Sequence, residues 1–201
     1  MEEKPILPAI ERLEEEVKPG ETVGLEPILI PYEIDEWWSA YDERFRELNL
    51  NNPCRQSFNY EEFTEAMQDD TVLKFVYRKE GEIVSMCLFG TDLRVFPWIS
   101  QEYYEAKYPE AFANDNFLYF MAILTKKGNY ERSYASELIK YMVKYWKDRD
   151  SQDTVVSFDC SEGNNQFLPK LVAGAINNSG VGSVELEHQG SQHYYAGKME
   201  F

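Results

Sequence analysis

Residues 116–146 read NFLYFMAILTKKGNYERSYASELIKYMVKYW, and this stretch decides the fold. It opens on an unbroken apolar run from Phe117 to Leu124, which is typical of a strand buried on both faces. It ends on apolar residues at helical spacing, which predict an amphipathic helix. The core stripe of that helix comprises Ala135, Leu138, Met142, Tyr145 and Trp146. The stretch therefore predicts a central strand, a short loop and a helix packed on the strand.

The loop between this strand and this helix is basic. Lys126, Lys127 and Arg132 place three positive charges ahead of a helix whose first N–H groups have no partner within the helix. Cations and free N–H groups together favour an anion, so the loop is a candidate phosphate site. The alternative is a solvated loop with Ser133 as the helix cap.

Composition limits the class of protein. The chain has 201 residues, 43% hydrophobic and 15% aromatic, which is enough for one globular domain with a full core. Its net charge of −16 disfavours binding to nucleic acid or to anionic membranes. The sequence shows no membrane-spanning run and no signal peptide, and its three cysteines lack metal-ligand spacing. We therefore expect a cytoplasmic protein with reduced thiols and no bound metal.

An N-terminal arm at 1–23 is predicted ahead of a domain at 24–201. Ile6, Ile10, Leu13 and Val17 recur at helical spacing and predict a helix that Pro19 and Gly20 end. The apolar stripe of this helix packs either on its own domain or on a partner subunit.

Within the domain, strands and helices alternate. We expect strands at 25–32, 71–78, 82–89, 154–160, 184–188 and 193–201, with a hairpin turning at Gly81 and a closing hairpin through Gln189 and Gly190. Helices are expected after a cap at Asp35, after a capping box of Asn59 and Glu62 with a staple of Phe58 and Phe63, and at 165–176. Residues 92–115 form an aromatic insertion containing Phe96, Trp98, Tyr103, Tyr104, Tyr108 and Phe112. For this insertion, an interface or a cover over the core ranks above a substrate pocket.

The order of these elements resembles that of the GCN5-related N-acetyltransferase (GNAT) family over roughly residues 24–201. The resemblance implies an α+β fold with a mixed, mostly antiparallel sheet flanked by helices. It also implies that the strands at 117–124 and 154–160 run parallel and splay apart around the pantetheine arm of acetyl-CoA. The resemblance makes acetyl-CoA the expected cofactor.

The family holds the cofactor pyrophosphate on a Gln/Arg-x-x-Gly-x-Gly/Ala turn, and this sequence departs from that motif. The matching turn, 129–135, has the bulky Arg132 and Tyr134 where small residues are expected, and it adds the acidic Glu131. Either the phosphates bind through Lys126, Lys127 and Arg132 with Ser133 at the helix start, or the cofactor site has decayed. Both alternatives stay open.

The resemblance also implies functions for residues after the central strand. Asn165, beside Asn164, stands where the family bonds the pantetheine, although capping of the next helix explains both equally well. The family's tyrosine acid is replaced by Leu171 or Val172, which leaves Tyr194 or Tyr195 as substitutes. Asp159 is the nearest candidate base. The sequence supports two further hypotheses only weakly. One is that Cys160 is a nucleophile, and the other is that His188 and His193 are metal ligands.

Two functions follow from the sequence. The first is an acyl-CoA-dependent N-acyltransferase that transfers an acetyl group to an amine, with an acidic surface that favours a cationic small molecule or a protein amine as acceptor. The second is a catalytically silent binding or assembly module on the same fold, such as a phage virion-associated protein. In that case the N-terminal arm and residues 92–115 would contact a protein partner or a second copy, in the host cytoplasm or the virion.

Overall fold

The computed structural model describes residues 13–26, 28–51, 57–96, 98–126, 128, 134–149, 154–161 and 165–191. The described strands are β1 (Leu13–Lys18), β2 (Glu21–Glu26), β3 (Val72–Lys79), β4 (Glu82–Gly90), β5 (Phe117–Thr125) and β6 (Val155–Phe158). The described helices are α1 (Pro31–Asn51), α2 (Tyr60–Gln68), α3 (Gln101–Lys107), α4 (Pro109–Ala113), α5 (Tyr134–Arg149) and α6 (Leu168–Asn177). A 3₁₀ turn at Leu93–Val95 precedes α3.

The strands form one sheet in chain order, from β1 at one side to β6 at the other. Successive strands are antiparallel, except that β5 and β6 are parallel. The helices lie on both faces of the sheet. This confirms the predicted α+β fold with a mixed, mostly antiparallel sheet flanked by helices.

The apolar run at 117–124 is the strand on which both halves of the core meet. Phe117 and Tyr119 join a cluster with α1 and α2, whereas Leu118 and Phe120 join a cluster with α5 and α6. We call these two sides of the sheet the α1/α2 face and the α5/α6 face. Side chains alternate between faces along a strand, so a run that is apolar at every position is needed to fill both sides. The prediction of a central strand is confirmed.

Local signals in the first half of the chain are confirmed in detail. The Asn59 side chain accepts a hydrogen bond from the Glu62 N–H at 2.9 Å, and the Glu62 carboxylate accepts one from the Asn59 N–H at 2.9 Å. The hairpin of β3 and β4 turns on Glu80 and Gly81, which have φ values of 52° and 85°. Two residues in the left-handed region match the twist of antiparallel strands, and glycine adopts that region without strain.

The prediction of a helical arm is wrong over residues 13–18, which form β1. Leu13 pairs with Leu25 across an antiparallel ladder, after a turn in which Gly20 has a φ of 73°. Leu13 and Val17 are four residues apart, a spacing that places them on one side of a helix and equally on one side of a strand. The sheet thus begins within the range predicted to be an arm. Residues 1–12, with Ile6 and Ile10, lie outside the described residues.

Two predicted boundaries near the first helix are also wrong. The strand expected at 25–32 is β2 at 21–26, and α1 begins at Pro31, where proline's fixed φ and missing N–H suit the first helical turn. Asp35 lies inside α1 and does not cap it. The carboxylate of Glu33 instead accepts a hydrogen bond from the Ile30 N–H at 3.0 Å, so α1 is capped from its own first turn.

The structure of the C-terminal part also differs from the prediction. The helix expected from Asn165 begins at Leu168, with Pro169 in its first turn. Residues 182–191 contain no helix or strand, so the first strand of the closing hairpin, expected at 184–188, is absent. The second strand, expected at 193–201, lies outside the described residues.

The aromatic insertion mainly covers the α1/α2 face. Phe96 is buried, and Trp98, Tyr104, Tyr108 and Phe112 pack partly buried against that side of the core, whereas Tyr103 is exposed. The rings of Tyr104 and Phe112 lie 5.1 and 4.8 Å from the ring of Phe117 at the start of β5. The insertion is therefore anchored beside the first residues of the central strand.

The close packing of Phe96 on the sheet depends on glycine at position 90. A Cβ atom on Gly90 would lie 2.1 Å from two atoms of the buried Phe96 ring. We expect Gly90→Ala to lower the free energy of unfolding by about 1–3 kcal/mol, since the ring must move within a filled core. Urea denaturation measures this change. Gly174→Ala is the control because its Cβ would meet no atom within 4 Å. If Gly90→Ala unfolds at the same urea concentration as the wild type, the packing argument fails.

Lys74 on β3 is a fully buried lysine. Its ammonium donates to the carbonyl oxygens of Asp69 at 2.7 Å and Val72 at 2.6 Å. Burial lowers the pKa of Lys74 to about 7, although the carboxylates of Asp69 and Asp70 oppose this shift. The unfolded chain, whose lysine keeps a pKa near 10.5, therefore binds more protons than the folded protein between these two values.

From this difference we expect the free energy of unfolding to rise with pH above about 7. The contribution of Lys74 is up to about 1.4 kcal/mol per pH unit, and Lys74→Met should remove it. Denaturation of both proteins between about pH 7 and about pH 9 measures the slope. Lys79→Met, which replaces an exposed lysine on the same strand, should keep the wild-type slope. Equal slopes for Lys74→Met and the wild type would contradict the low pKa.

Candidate functional site

The candidate site is a cleft between β5 and β6, where the two strands stop pairing. Their parallel ladder runs from Phe117 opposite Val155 to Phe120 opposite Phe158, and β6 ends there. β5 continues to Thr125, which pairs on its other side with Ser85 of β4. Residues 121–125 therefore have a pairing strand on one side only among the described residues. Their free backbone edge can bond an extended ligand.

A β-bulge lies at the point where this cleft opens. Leu88 of β4 pairs with Ala122 and Phe89 pairs with Phe120, which leaves Met121 as the extra residue of β5. A bulge bends its strand and increases its twist. The bend begins one residue after the last pair with β6, so the bulge and the end of the ladder together open the cleft.

A hydrogen-bonded cluster of side chains closes the inner end of the cleft. Asp159 follows β6 directly, and its carboxylate accepts a hydrogen bond from the Tyr119 hydroxyl. The indole N–H of Trp98, in the insertion, donates to the Tyr119 hydroxyl oxygen at 3.2 Å. The Ser157 hydroxyl donates to the Tyr104 hydroxyl oxygen at 2.8 Å.

The strand register explains why these residues meet. Tyr119 and Ser157 are register partners in the parallel ladder, and Asp159 lies two residues beyond Ser157. Side chains two residues apart in a strand point to the same side, so Ser157 and Asp159 both face the insertion with Tyr119. Trp98 and Tyr104 reach the same place from the insertion, which packs on this side of the sheet.

The surroundings of Asp159 favour a carboxyl group that exchanges protons. Although the residue as a whole is exposed, protein atoms crowd its carboxyl group and raise its pKa, an effect that the hydrogen bond from Tyr119 partly offsets. Burial raises the pKa of Tyr119, and the nearby Asp159 charge adds to the shift. Burial likewise raises the pKa of Tyr104. Asp159 is therefore a carboxyl group with a raised pKa beside two tyrosines that stay protonated near pH 7.

Cys160 and Asn165 lie near the same end of β6. The Cys160 sulfur is 4.0 Å from the Asn165 side-chain oxygen. Burial, with the charge of Asp159, raises the pKa of the Cys160 thiol, which disfavours the reactive thiolate. Asn165 does not cap α6, whose N-cap is Phe167. Of the two explanations for Asn165 in the sequence, the helix cap is wrong, and pantetheine binding stays a prediction.

The predicted phosphate loop is described only in part. The Lys126 N–H donates to the Val84 carbonyl at 3.0 Å and extends the pairing of β4 with β5. Gly128 has a φ of 84°, which marks a tight turn after this strand. Lys127, Arg132, Ser133 and Tyr194, the other residues predicted to bind cofactor or donate a proton, lie outside the described residues.

The start of α5 is less favourable to an anion than the basic loop suggests. The Tyr134 ring packs 4.7 Å from the Tyr77 ring, and the Tyr77 hydroxyl donates to the buried carboxylate of Glu21 at 2.9 Å. The pKa of Tyr77 is raised by burial, by Glu21 and by Glu137 in the first turn of α5. Two carboxylates therefore lie close to the helix end where a phosphate would bind.

A separate acidic groove lies on the α1/α2 face. It is a cavity of about 230 Å³ whose lining includes Glu14, Glu26, Glu33, Glu36 and Arg78. The Arg78 guanidinium forms ion pairs with Glu26 at 3.3 Å and with Glu36 at 3.4 Å. Arg78 neutralises part of this charge, and the groove keeps a net negative charge.

The strand register places this groove relative to the cleft. Val76, which also lines the groove, pairs with Met86, and Met86 pairs with Leu124 in the cleft segment of β5. β3 and β5 are two strand spacings apart, so the groove lies about 10 Å across the sheet from the cleft.

The described residues lack a candidate metal-binding cluster and a membrane-spanning helix. They contain no group of three or more histidine, cysteine, aspartate or glutamate residues arranged to hold a metal ion. No helix in the described part of the chain has the length and apolar character to cross a membrane.

Sequence reasoning proposed Asp159 as a base but did not predict its hydrogen bond with Tyr119 or the nearby Trp98, Tyr104 and Ser157. One signal was available. Tyr119 is the residue of the run at 117–124 that carries a hydroxyl group, and a buried tyrosine hydroxyl usually requires a hydrogen-bond partner. The identity of the partner was not accessible, because Asp159 lies 40 residues farther along the chain.

Known proteins resemble this chain in structure, whereas comparison of sequences finds no match. No family model and no curated protein matches this sequence. An aminoglycoside acetyltransferase, meta-AAC0020 from an uncultured soil metagenomic sample, matches with a TM-score of 0.53 at 12% identity, over 91% of this chain and 100% of that one. The GNAT domain of S. lividans PAT matches with a TM-score of 0.53 at 13% identity, over 82% of this chain and 86% of that one.

A third match is the ribosomal-protein-alanine N-acetyltransferase from Brucella melitensis biovar Abortus 2308. Its TM-score is 0.50 at 10% identity, over 87% of this chain and 99% of that one. These identities are too low to transfer a substrate or a reaction. The chain has the GNAT fold, as its sequence predicted.

Proposed function

We propose that this protein is an acyl-CoA-dependent N-acyltransferase that transfers an acetyl group to an amine. The observation on which the proposal rests is the position of Asp159, a proton-accepting group at the inner end of the cleft between β5 and β6. The likeness of the fold to solved N-acetyltransferases supports the reaction class.

The residues of the cleft fit the extended arm of such a cofactor. The edge of β5 at 121–125 offers backbone N–H and carbonyl groups in strand spacing, and the bulge at Met121 bends this edge at the inner end. Asn165 lies beyond the end of β6, and Lys126 stands at the outer end of β5. Bound there, the cofactor would supply an acetyl thioester.

In this proposal Asp159 would remove a proton from the ammonium form of the acceptor. The amine nitrogen would then attack the acetyl carbon of the bound thioester, lose its second proton to water and displace the thiolate as the carbon–sulfur bond breaks. A tyrosine that protonates the thiolate would regain its proton from water. Tyr104 and Tyr119 stay protonated beside this position because burial raises the pKa of each. Tyr104 is less buried than Tyr119 and is therefore the candidate donor of a proton to the thiolate. It takes the role that the sequence suggested for Tyr194.

A cationic acceptor suits the charge of the protein. The chain has a net charge of −16, and the acidic groove lies on the α1/α2 face at the level of the cleft. A negative groove raises the local concentration of a polyamine, an aminoglycoside-like molecule or a lysine-bearing peptide. The proposed acceptor is therefore a cationic amine.

The second candidate function is a silent binding module on the same fold, as in a phage virion-associated protein. One observation favours it. The carboxylates of Glu21 and Glu137 lie close to the start of α5, where a pyrophosphate would need positive surroundings. A test for acetyl-CoA binding therefore distinguishes an acyltransferase from a silent binding module.

Calorimetry with acetyl-CoA tests whether the basic loop binds the cofactor. We expect the wild type to bind, and we expect combined replacement of Lys126, Lys127 and Arg132 by alanine to weaken binding by about 2–4 kcal/mol, taking each charge-assisted hydrogen bond as about 1. A triple replacement of the exposed Lys79, Lys144 and Lys147 by alanine removes the same charge and should bind normally. No binding by the wild type would favour the silent module.

Replacement of Asp159 tests the proposed base. With acetyl-CoA and a polyamine as acceptor, we expect Asp159→Asn to lower kcat by about 10²–10⁴ without weakening cofactor binding. The wild-type rate should rise with pH as Asp159 ionises, and Asp159→Asn should lose that rise. Asp148→Asn, at an exposed site on α5, should keep the wild-type rate. An active Asp159→Asn variant with an unchanged pH profile would remove Asp159 from the mechanism.

A further inference from the structure

Tyr119 occupies the middle of a hydrogen-bond chain that joins the insertion to the cleft. Its side chain is fully buried, whereas Asp159 at one end of the chain is exposed. The Trp98 indole at the other end is only partly buried. The chain thus connects the underside of the insertion with the surface at the inner end of the cleft.

The donor and acceptor properties of these groups fix the direction of the chain. An indole N–H can only donate, so the Tyr119 oxygen is the acceptor of the 3.2 Å bond from Trp98. A tyrosine hydroxyl has a single proton, and the Tyr119 hydroxyl donates it to the Asp159 carboxylate. Trp98 therefore occupies an acceptor position of Tyr119 and leaves its proton directed at Asp159.

We infer that Tyr119 is a positioning residue for Asp159, and that Trp98 orients the Tyr119 hydroxyl from the insertion. Tyr119 holds the carboxylate at the inner end of the cleft and stabilises its ionised form. The catalytic consequence of this inference rests on the proposed function, but the interaction itself does not. The aromatic insertion is then part of the site as well as a cover over the core.

Core packing alone does not account for Tyr119. The side chains on either side of it in β5, Leu118 and Phe120, are apolar, and a buried hydroxyl stabilises a core only when it is paired. Both partners of Tyr119 are polar groups from distant parts of the chain, 21 and 40 residues away. One of them is a carboxylate at an exposed position. A phenylalanine would fill the same space without this bond.

The electrostatics agree with this geometry. The hydrogen bond from Tyr119 lowers the pKa of Asp159 against the larger, opposite effect of burial. Two titratable groups that sense the Asp159 charge are Tyr104 from α3 and Cys160 from the chain after β6, and burial raises the pKa of each, so both are neutral near pH 7. The hydrogen bond from Tyr119 is the largest of the effects that lower the pKa of Asp159, so its removal should destabilise the Asp159 anion.

A carbon-13 NMR titration of the Asp159 carboxyl group tests the inference without requiring activity. The signal is assigned by its loss in Asp159→Asn. We expect Tyr119→Phe to raise the pKa of Asp159 by about 0.5–1 unit, and Trp98→Phe to shift it in the same direction by less. Tyr108→Phe, which removes another hydroxyl of the insertion, should leave the pKa unchanged. If Tyr119→Phe does not fold, the Trp98→Phe titration decides.

The rate profile adds a second readout. If the protein is an active enzyme, the pH at which kcat rises should be higher in Tyr119→Phe, by the same amount as the shift in the Asp159 pKa. Tyr108→Phe should keep the wild-type pH profile. The inference is overturned if the Asp159 pKa is unchanged in folded Tyr119→Phe. If Tyr119→Phe does not fold, an unchanged pKa in Trp98→Phe overturns it. A wild type without acetyl transfer overturns the proposed function instead, and the NMR shift still decides whether Tyr119 positions Asp159.

Discussion

The change of pairing along β5, which pairs with β6 up to Phe120 and with β4 alone beyond it, is the constraint on which the rest of this structure depends. Pairing with β6 from Phe117 to Phe120 and with β4 from Tyr119 onward places an apolar strand between two others, where it fills both faces of the sheet. Among the described residues, the loss of pairing with β6 beyond Phe120 leaves one backbone edge of β5 without a neighbouring strand. Exposed edges are normally covered or blunted, so an open one inside a domain is a place for a ligand.

The sequence predicted those parts of the fold that depend on local chemistry. The capping box at Asn59, the turn at Gly81 and the apolar run of β5 each specify a conformation within a few residues. The parallel neighbour of β5 followed from element order and from resemblance to the GNAT family. Asp159 could be proposed as a base for the same reason, since the end of a strand beside the central strand is a position that topology alone indicates.

The remaining features depend on contacts that local patterns do not encode. The spacing of Leu13 and Val17 fits a helix and a strand equally, and only the pairing of β1 with β2 decides between them. Asp35 has the residue type of a cap, yet Pro31 starts the helix earlier and Glu33 supplies the hydrogen bond. Asp159 accepts a hydrogen bond from Tyr119 of β5, and Tyr119 accepts one from Trp98 of the insertion, whose position depends on how the insertion packs on Phe117.

The insertion links stability to the chemistry of the site. Its anchoring on Gly90 and Phe117 holds Trp98 against Tyr119, so the same packing that covers the core also directs a hydroxyl at Asp159. A loop free to move would leave the Tyr119 proton without a fixed direction and the carboxylate without a fixed orientation. As the proposed base, Asp159 has to be held in place to act, because misplacement by about 1 Å costs orders of magnitude in rate. Aromatic packing around the Asp159 carboxylate meets that requirement in a fold whose basic loop departs from the GNAT motif.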